Sequence, residues 1–266
     1  MIPKIIHYCW FGTKKKSELE RKCIDSWKKY CPNYEIKEWN ETNFDINICP
    51  YVKEAYNAKK WAFVSDYARF WILYNYGGLY FDTDVELINR IDDLIETGSF
   101  MGCERNIVNK DKKDEHNEAN PAPGLGLAAE PGLGLYKEIL DFYDNKHFVD
   151  GSGNLDITTV VMITTNIIKK HGWKDTDSIQ KIDDIFFYPP EYFCPMDYNT
   201  GIVTITENTR SIHHYSASWK TDSEKHLKEK ERLFRKRFGY KFGYQLFRLY
   251  GFVYRRIKHL RCGFNN

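Results

Sequence analysis

An apolar, helix-like segment joined to a short strand through two glycines is the feature that most constrains this chain of 266 residues. Residues 62–76 are rich in aromatic and aliphatic side chains, and Gly77 and Gly78 separate them from residues 79–81, which are typical of a short buried strand. The strand is followed by Asp82 and Asp84 at its carboxyl end, where open α/β sheets bind their ligands. Because side chains alternate along a strand, we expect both carboxylates on one side, with Thr83 on the other.

Two neighbouring carboxylates repel each other, and burying them without a partner is costly. A hard divalent cation removes that cost, since Mg²⁺ prefers oxygen ligands and is commonly held by one or two carboxylates together with the phosphates of a substrate. The pair therefore indicates a site for a metal-bound phosphorylated ligand. The simpler alternative is a solvated turn, because Asp is a common turn residue.

A second pair of charges lies upstream in the same apolar helix. Asp66 and Arg69 are three residues apart and so share one helix face. Charged side chains on a helix this apolar are expected to be buried and partnered. Asp66 precedes Asp82 by sixteen residues, with the glycine pair between them.

Taken in order, these motifs resemble glycosyltransferase family 32, the DXD-containing capsular-polysaccharide and mannosyltransferase type, which is related to the clostridial glucosylating toxins. The resemblance extends over about residues 1–219. It rests on IPKIIH at 2–7 with Trp10, on SDxxR at 65–69, on YGGLYFDTD at 76–84, and on His213-His214 with Ser218-Trp219.

The resemblance implies an α/β fold of the GT-A type, a Rossmann-like mixed sheet flanked by helices that binds a nucleotide-sugar. The strand, helix and strand predicted over residues 2–10, 17–30 and 34–39 agree with such an opening. We expect a GT-A domain over residues 1–219 and a basic, amphipathic helical tail over 220–266. Residues 124–130 are expected to form a strand behind the acceptor cleft.

The resemblance also assigns roles to individual residues. It implies that Trp10 stacks on the base, that Asp66 faces ribose or sugar hydroxyls, and that Arg69 faces sugar or phosphate. Mn²⁺ or Mg²⁺ is expected on Asp82, Asp84 and His214, with His213 as the alternative histidine because neighbours in a strand face opposite sides. The expected catalytic residues are Asp82, Asp84 and Arg69, and the expected nucleotide-sugar contacts are Trp10, Asp66, Arg69, Tyr80, Asp82, Thr83 and Trp219.

Charge is distributed unevenly along the chain. From Lys220 onward there are 14 Lys and Arg against 4 Asp and Glu, a net charge of +10, whereas the preceding part carries −8. The basic end is interleaved with Phe, Tyr and Leu at helical spacing, which favours an anionic membrane surface over nucleic acid as its partner. A helix packed on the domain is the alternative.

The seven cysteines are scattered, and no apolar run approaches the length needed to span a bilayer. We therefore expect a cytoplasmic protein, with peripheral attachment to the inner face of the membrane as the second option.

The sequence thus predicts a metal-dependent, retaining hexosyltransferase. It would use a UDP- or GDP-linked sugar and a surface-glycan acceptor such as capsular polysaccharide, lipopolysaccharide or a lipid-linked saccharide. Two alternatives stay open. One is a haloacid-dehalogenase-like phosphatase that uses Asp82 and Asp84, and the other is a noncatalytic glycan- or membrane-binding module.

Overall fold

A computed structural model describes residues 1–105, 119–217 and 220–263, with side chains described as far as residue 256. Within these residues the strands are β1 Ile5–Cys9, β2 Glu35–Trp39, β3 Gly78–Tyr80, β4 Val85–Leu87, β5 Ser99–Arg105, β6 Ala119–Pro121, β7 Leu127–Ala129, β8 Gln180–Ile182, β9 Ile185–Tyr188 and β10 Ser211–His213. The helices are α1 Glu18–Tyr30, α2 Pro50–Asn57, α3 Trp61–Tyr76, α4 Asp92–Thr97, α5 Gly134–Asp144, α6 Val160–Lys170, α7 Pro190–Phe193, α8 Asp222–Phe238 and α9 Tyr240–Gly263.

The opening strand–helix–strand unit predicted from the sequence is confirmed. Helix α1 begins with a capping box, in which Ser17 and Glu20 satisfy each other's backbone N–H groups. Its buried face carries Cys23, Ile24 and Trp27, and strands β1 and β2 pair in parallel. The helix thus joins two parallel strands as a crossover connection requires.

The described residues contain an eight-stranded mixed sheet in the order β2-β1-β3-β7-β5-β9-β8, with β6 paired to β5. Strands β1, β2 and β3 run parallel to one another, whereas β7 is antiparallel to both β3 and β5. Aromatic and aliphatic side chains of α3 and α5 join the buried core beside this sheet. The expected α/β class, a mixed sheet flanked by helices, is confirmed.

The two glycines form a sharp corner between α3 and β3. Both have positive φ, 63° at Gly77 and 93° at Gly78, a region that side-chain-bearing residues rarely adopt. A Cβ added at Gly78 would lie 2.7 Å from the carbonyl oxygen of Ile5. Beneath the corner, His7 Nε2 donates to the Gly77 carbonyl at 3.1 Å and His7 Nδ1 accepts from the Trp39 indole at 3.0 Å. The imidazole is therefore held as the neutral tautomer.

The segment after β3 departs from the sequence-based prediction. The strand ends at Tyr80, and residues 82–85 form a turn in which the Val85 N–H donates to the Asp82 carbonyl at 3.0 Å. Strand alternation therefore does not set the directions of the two carboxylates. Strand β4 pairs with β10 in a separate antiparallel ribbon, in which Val85 is opposite His213.

The described chain divides into two compact units, residues 1–195 with 205–214 and residues 196–204 with 215–266. In the second unit, α8 begins with a Thr221–Glu224 capping box, and the ring of Tyr198 lies 3.8 Å from the Lys228 ammonium. The predicted domain boundary at residue 219 stays a prediction. None of the helices within the described residues combines the length and apolar character needed to cross a membrane.

Candidate active site

The candidate site lies at the carboxyl edge of two parallel strands. Strands β1 and β3 pair with His7 opposite Tyr80, so the residues that follow both strands emerge at the same edge. The Phe81 N–H continues the pairing by donating to the His7 carbonyl at 3.2 Å. This arrangement brings Trp10 and Asp82 to the ligand-binding end of the sheet.

Arg69 joins the two acids that the sequence placed sixteen residues apart. Its guanidinium lies 2.9 Å from Asp66 and 3.3 Å from Asp82. The side chains of Arg69 and Asp66 are 4% and 11% exposed, whereas that of Asp82 is 31% exposed. Asp82 is therefore the partner of the buried Asp66–Arg69 pair. Its carboxylate is the most exposed of these three charged groups.

Burial sets the electrostatics of this trio. It raises the pKa of Asp66 to about 7, an effect that the nearby Arg69 opposes. Burial also raises the pKa of Asp82, with Arg69 opposing and Asp84 adding to the rise. Carboxylates shifted in this direction gain from further positive charge, because a cation favours the ionised form.

Tyr80 stands behind Asp82 and not on an open surface. Its hydroxyl donates to Asp82 Oδ1 at 3.2 Å, and its ring lies under the Arg69 guanidinium, 5.1 Å from the ring centre. The residue is 1% exposed. The Tyr80 hydroxyl thus contacts Asp82, and the nucleotide contact expected from the sequence stays a prediction.

Gly124 lies next to Asp82 and ahead of Leu127–Ala129, the part of the strand expected over residues 124–130 that is confirmed. Its carbonyl accepts from the Asp82 N–H at 2.9 Å, and a Cβ at this position would lie 2.0 Å from Asp82 Oδ2. Residues 123–125 form a turn, and the strand begins only at Leu127. The Gly-Leu-Gly signal was visible, but it marks a close approach to Asp82 and not the start of a strand.

The structure also separates the two histidines. His213 Nε2 lies 3.4 Å from Asp84 Oδ1, whereas His214 Nε2 lies 2.8 Å from Glu86 Oε2. Glu86 also receives the Lys22 ammonium at 2.8 Å. The side chain that faces Asp84 is therefore that of His213, the alternative metal ligand expected from the sequence, and not that of His214, the preferred one.

The pairing of Asp84 with His213 has an electrostatic signature. Burial lowers the pKa of His213, but the carboxylate of Asp84 more than offsets this effect, so that the pKa lies well above its usual value. The negative charge of Asp84 thus attracts a cation at this point.

The donor set fits a divalent ion. Two neighbouring ligands at bond lengths of about 2.1 Å and right angles are about 3 Å apart. The 3.4 Å between Asp84 Oδ1 and His213 Nε2 is close to that separation. A carboxylate with an imidazole is a ligand pair that suits Mn²⁺ or Zn²⁺, and it also suits an ion with mainly oxygen ligands. These two residues with Asp82 could hold the expected ion.

The remaining predicted residues lie around this centre. Trp10 is partly exposed, its indole N–H donates to the Lys14 carbonyl at 2.7 Å, and the Lys16 ammonium lies 5.2 Å from its ring centre. Thr83 is partly exposed in the turn between the two aspartates. Trp219 lies outside the described residues.

Two curated relatives match part of the chain. Inositol phosphoceramide mannosyltransferase 3 of Schizosaccharomyces pombe is 32% identical over 106 residues, which is 35% of this chain and 27% of that protein. Inositol phosphoceramide mannosyltransferase 2 of the same organism is 31% identical over 102 residues, 36% of this chain and 28% of that protein. The match therefore spans little more than a quarter of the length of each relative.

Two solved structures are similar in outline. The PaToxG glycosyltransferase has a TM-score of 0.45 at 18% identity and covers 64% of this chain and 69% of its own. An active-site mutant of LgtC has a TM-score of 0.39 at 12% identity and covers 82% of this chain and 90% of its own.

The family comparison covers the segment that carries the site. Residues 17–101 match the family described as a glycosyltransferase sugar-binding region containing the DXD motif. This segment includes Asp66, Arg69, Asp82 and Asp84, four of the residues that carry the resemblance. In residues 17–101 the chain is therefore similar to the DXD-containing sugar-binding region of this glycosyltransferase family.

Proposed function

We propose that the protein is a metal-dependent, retaining glycosyltransferase that moves a hexose from a nucleotide-sugar to a saccharide or lipid-linked saccharide. The observation that carries the proposal is the joining of Asp66, Arg69 and Asp82 at the carboxyl edge of β1 and β3, with Asp84 and His213 beside them. Fixed charges at this edge suit a ligand that carries both hydroxyls and a diphosphate.

Each residue has a role in the proposal that follows from its surroundings. Trp10 offers a partly exposed ring for the base, and Asp66 with Arg69 binds hydroxyls and phosphate. Asp84 and His213, supported by Asp82, hold Mn²⁺ or Mg²⁺. When bound, such an ion neutralises the charge that develops on a departing nucleoside diphosphate. Arg69 adds a fixed positive charge that burial between two acids keeps in place.

The donor and acceptor follow from the relatives only as proposals. Both curated relatives are called mannosyltransferases, which makes GDP-mannose the first donor to test, ahead of UDP-linked hexoses. Both are named for inositol phosphoceramide, which makes a lipid-linked acceptor the first choice, with capsular or lipopolysaccharide glycans next. A cytoplasmic enzyme at the inner face of the membrane would meet both substrates.

The test is thermal unfolding of the full chain against GDP- and UDP-sugars, with and without Mn²⁺ or Mg²⁺. A ligand that binds only the folded state raises Tm by mass action. We expect a metal-dependent rise with one nucleotide class that is lost in Asp84→Asn, and transfer of labelled sugar with the same dependence. Asp25→Asn, an exposed acid on α1, is the control that should keep the rise. Folded protein with no rise for any nucleotide would overturn the proposal, and hydrolysis of an aryl phosphate would then favour the phosphatase.

A membrane-facing role is proposed for α9. Phe242, Leu249, Phe252 and Val253 are each more than half exposed, and the sequence 240–263 contains six Lys and Arg and no Asp or Glu. An exposed apolar stripe among basic residues suits the interface of an anionic bilayer.

Sedimentation with vesicles tests this role. We expect binding to vesicles that contain phosphatidylserine, weaker binding in high salt, and little binding to phosphatidylcholine alone. Leu249→Ser with Phe252→Ser should abolish it, whereas Phe142→Ser, which removes a 44% exposed ring from α5, should not. Equal sedimentation of both variants would refute the assignment to α9.

A further inference from the structure

A second group of metal-ligating side chains lies next to the DXD turn. Glu104, Cys194 and His213 each offer one ligand atom, and these atoms all lie within 4.8 Å of one another. Glu104 is the last residue but one of β5, Cys194 directly follows α7, and His213 ends β10. Because they are distant in sequence, no local motif predicts that they meet.

Direct contacts between backbone and side-chain groups hold these three elements together. The Arg210 N–H donates to the Tyr192 carbonyl at 2.7 Å, and the Ser211 hydroxyl donates to the Phe193 carbonyl at 3.2 Å. A Cβ added at Gly102 would lie 3.0 Å from the Phe193 ring, which shows how closely α7 packs on β5. The positions of the three ligands are therefore set largely by the fold.

The chemistry of the group differs from that of the aspartate pair. Thiolate, imidazole and carboxylate are the zinc ligands of proteins, and catalytic zinc sites commonly use three of them with one open position. Three atoms within 4.8 Å of one another have their common centre no more than about 2.8 Å away. Zinc bond lengths are about 2.0–2.3 Å, so small side-chain movements complete the shell.

We infer that Glu104, Cys194 and His213 form a binding site for one thiophilic divalent cation of the Zn²⁺ class. A sulfur ligand selects such an ion over Mg²⁺, which takes oxygen ligands. His213 is also the neighbour of Asp84 at 3.4 Å. An ion bound in this site takes up the imidazole that the DXD pair would otherwise share.

Cobalt binding tests the site without any assay of transfer. Co²⁺ titrated into metal-free, reduced full-length protein should give a near-ultraviolet thiolate-to-cobalt charge-transfer band with one equivalent per chain, and Zn²⁺ should remove the band. Cys194→Ser should lose it, and Glu104→Gln should weaken Co²⁺ binding by at least about tenfold. Cys49→Ser, which changes a buried cysteine at the start of α2, should keep the band.

Each outcome decides the question. No band in folded wild-type protein, or a band of equal strength in Cys194→Ser, overturns the site. Should Cys194→Ser fail to fold, Cys194→Ala replaces it, and the Glu104→Gln titration gives an independent reading. A Glu104→Gln affinity equal to that of wild type removes the carboxylate from the site and overturns the three-ligand assignment.

The link to sugar-nucleotide binding rests on the proposed function. Zn²⁺ should weaken Mn²⁺-dependent donor binding in wild type, and the inhibition should be at least about tenfold weaker in Cys194→Ser. A cobalt band without any donor binding would refute the transferase and keep the thiophilic site. Donor binding without a cobalt band would support the transferase and refute the thiophilic site.

Discussion

Replacing Gly124 with alanine should disable the site although the substitution removes no charged group. The added Cβ would lie 2.0 Å from Asp82 Oδ2, 2.9 Å from Asp82 Cγ and 3.2 Å from an Arg69 nitrogen. Ordinary contact begins at 3.4 Å, so the carboxylate must retreat by about 1.4 Å. The ion pair with Arg69 and the hydrogen bond from Tyr80 are both made by the other oxygen, Oδ1, and we expect a carboxylate displaced this far to weaken both.

The expected magnitude follows from that displacement. A misplacement of about 1 Å at a reacting centre costs about 100-fold in rate, which corresponds to about 2.7 kcal/mol. Overpacking adds a loss of about 1–3 kcal/mol in the free energy of unfolding. We therefore expect Gly124→Ala to lower kcat/KM for the donor by about 100-fold or more and to lower the urea midpoint.

Two comparisons make this prediction refutable. Gly134→Ala at the start of α5, where an added Cβ meets nothing within 4 Å, should leave both quantities near wild type. Combining Gly124→Ala with Asp82→Ala removes the clashing carboxylate and should restore stability relative to Gly124→Ala alone. A Gly124→Ala protein with wild-type turnover and stability would show that the close approach to Asp82 is not part of the working site.

Three further predictions concern single side chains. His213→Ala should weaken Mn²⁺-dependent stabilisation by the donor at least about tenfold, whereas His214→Ala should change it little; the reverse order in a thermal shift assay would reinstate His214 as the ligand. Arg69→Ala leaves two acids without their buried partner, so the free energy of unfolding should fall by about 3–5 kcal/mol in urea titrations, and an unchanged midpoint would contradict the buried bridge. Burial lowers the pKa of His7 from 6.5 to about 4, so the unfolded state binds more protons between these values and stability is lost as pH falls through this window. Unfolding at pH 7.5 and 5 should show a drop about 2 kcal/mol larger in wild type than in His7→Gln, and equal drops would refute the burial effect.

Sequence reasoning succeeded where the determining interactions are local. The helix predicted over residues 17–30 and the helix-like segment 62–76 are each determined by neighbouring residues, and both were found in the predicted places. The expectation that Asp66 and Arg69 are buried and partnered was also confirmed, because charged side chains on an apolar helix are shielded from solvent.

The errors arose where pairing between distant segments decides the outcome. Which histidine faces Asp84 depends on the register of β10 against β4, and those strands are separated by more than a hundred residues. The approach of Gly124 to Asp82 likewise depends on a contact between segments that no local pattern records. In the sequence, a glycine that allows another segment to approach closely cannot be distinguished from a glycine within a strand.

The glycine corner makes the sixteen-residue interval between Asp66 and Asp82 a fixed length. Helix α3 ends at Tyr76 and β3 begins at Gly78, so there is no loop in which an extra residue could be accommodated. One inserted residue within β3 would turn its side chains to the opposite face, because strand side chains alternate. Chain length in this stretch is therefore as much a part of the site as its charged residues. A sequence that has the two aspartates at another spacing, even with every charged residue present, should not be expected to build the same bridge.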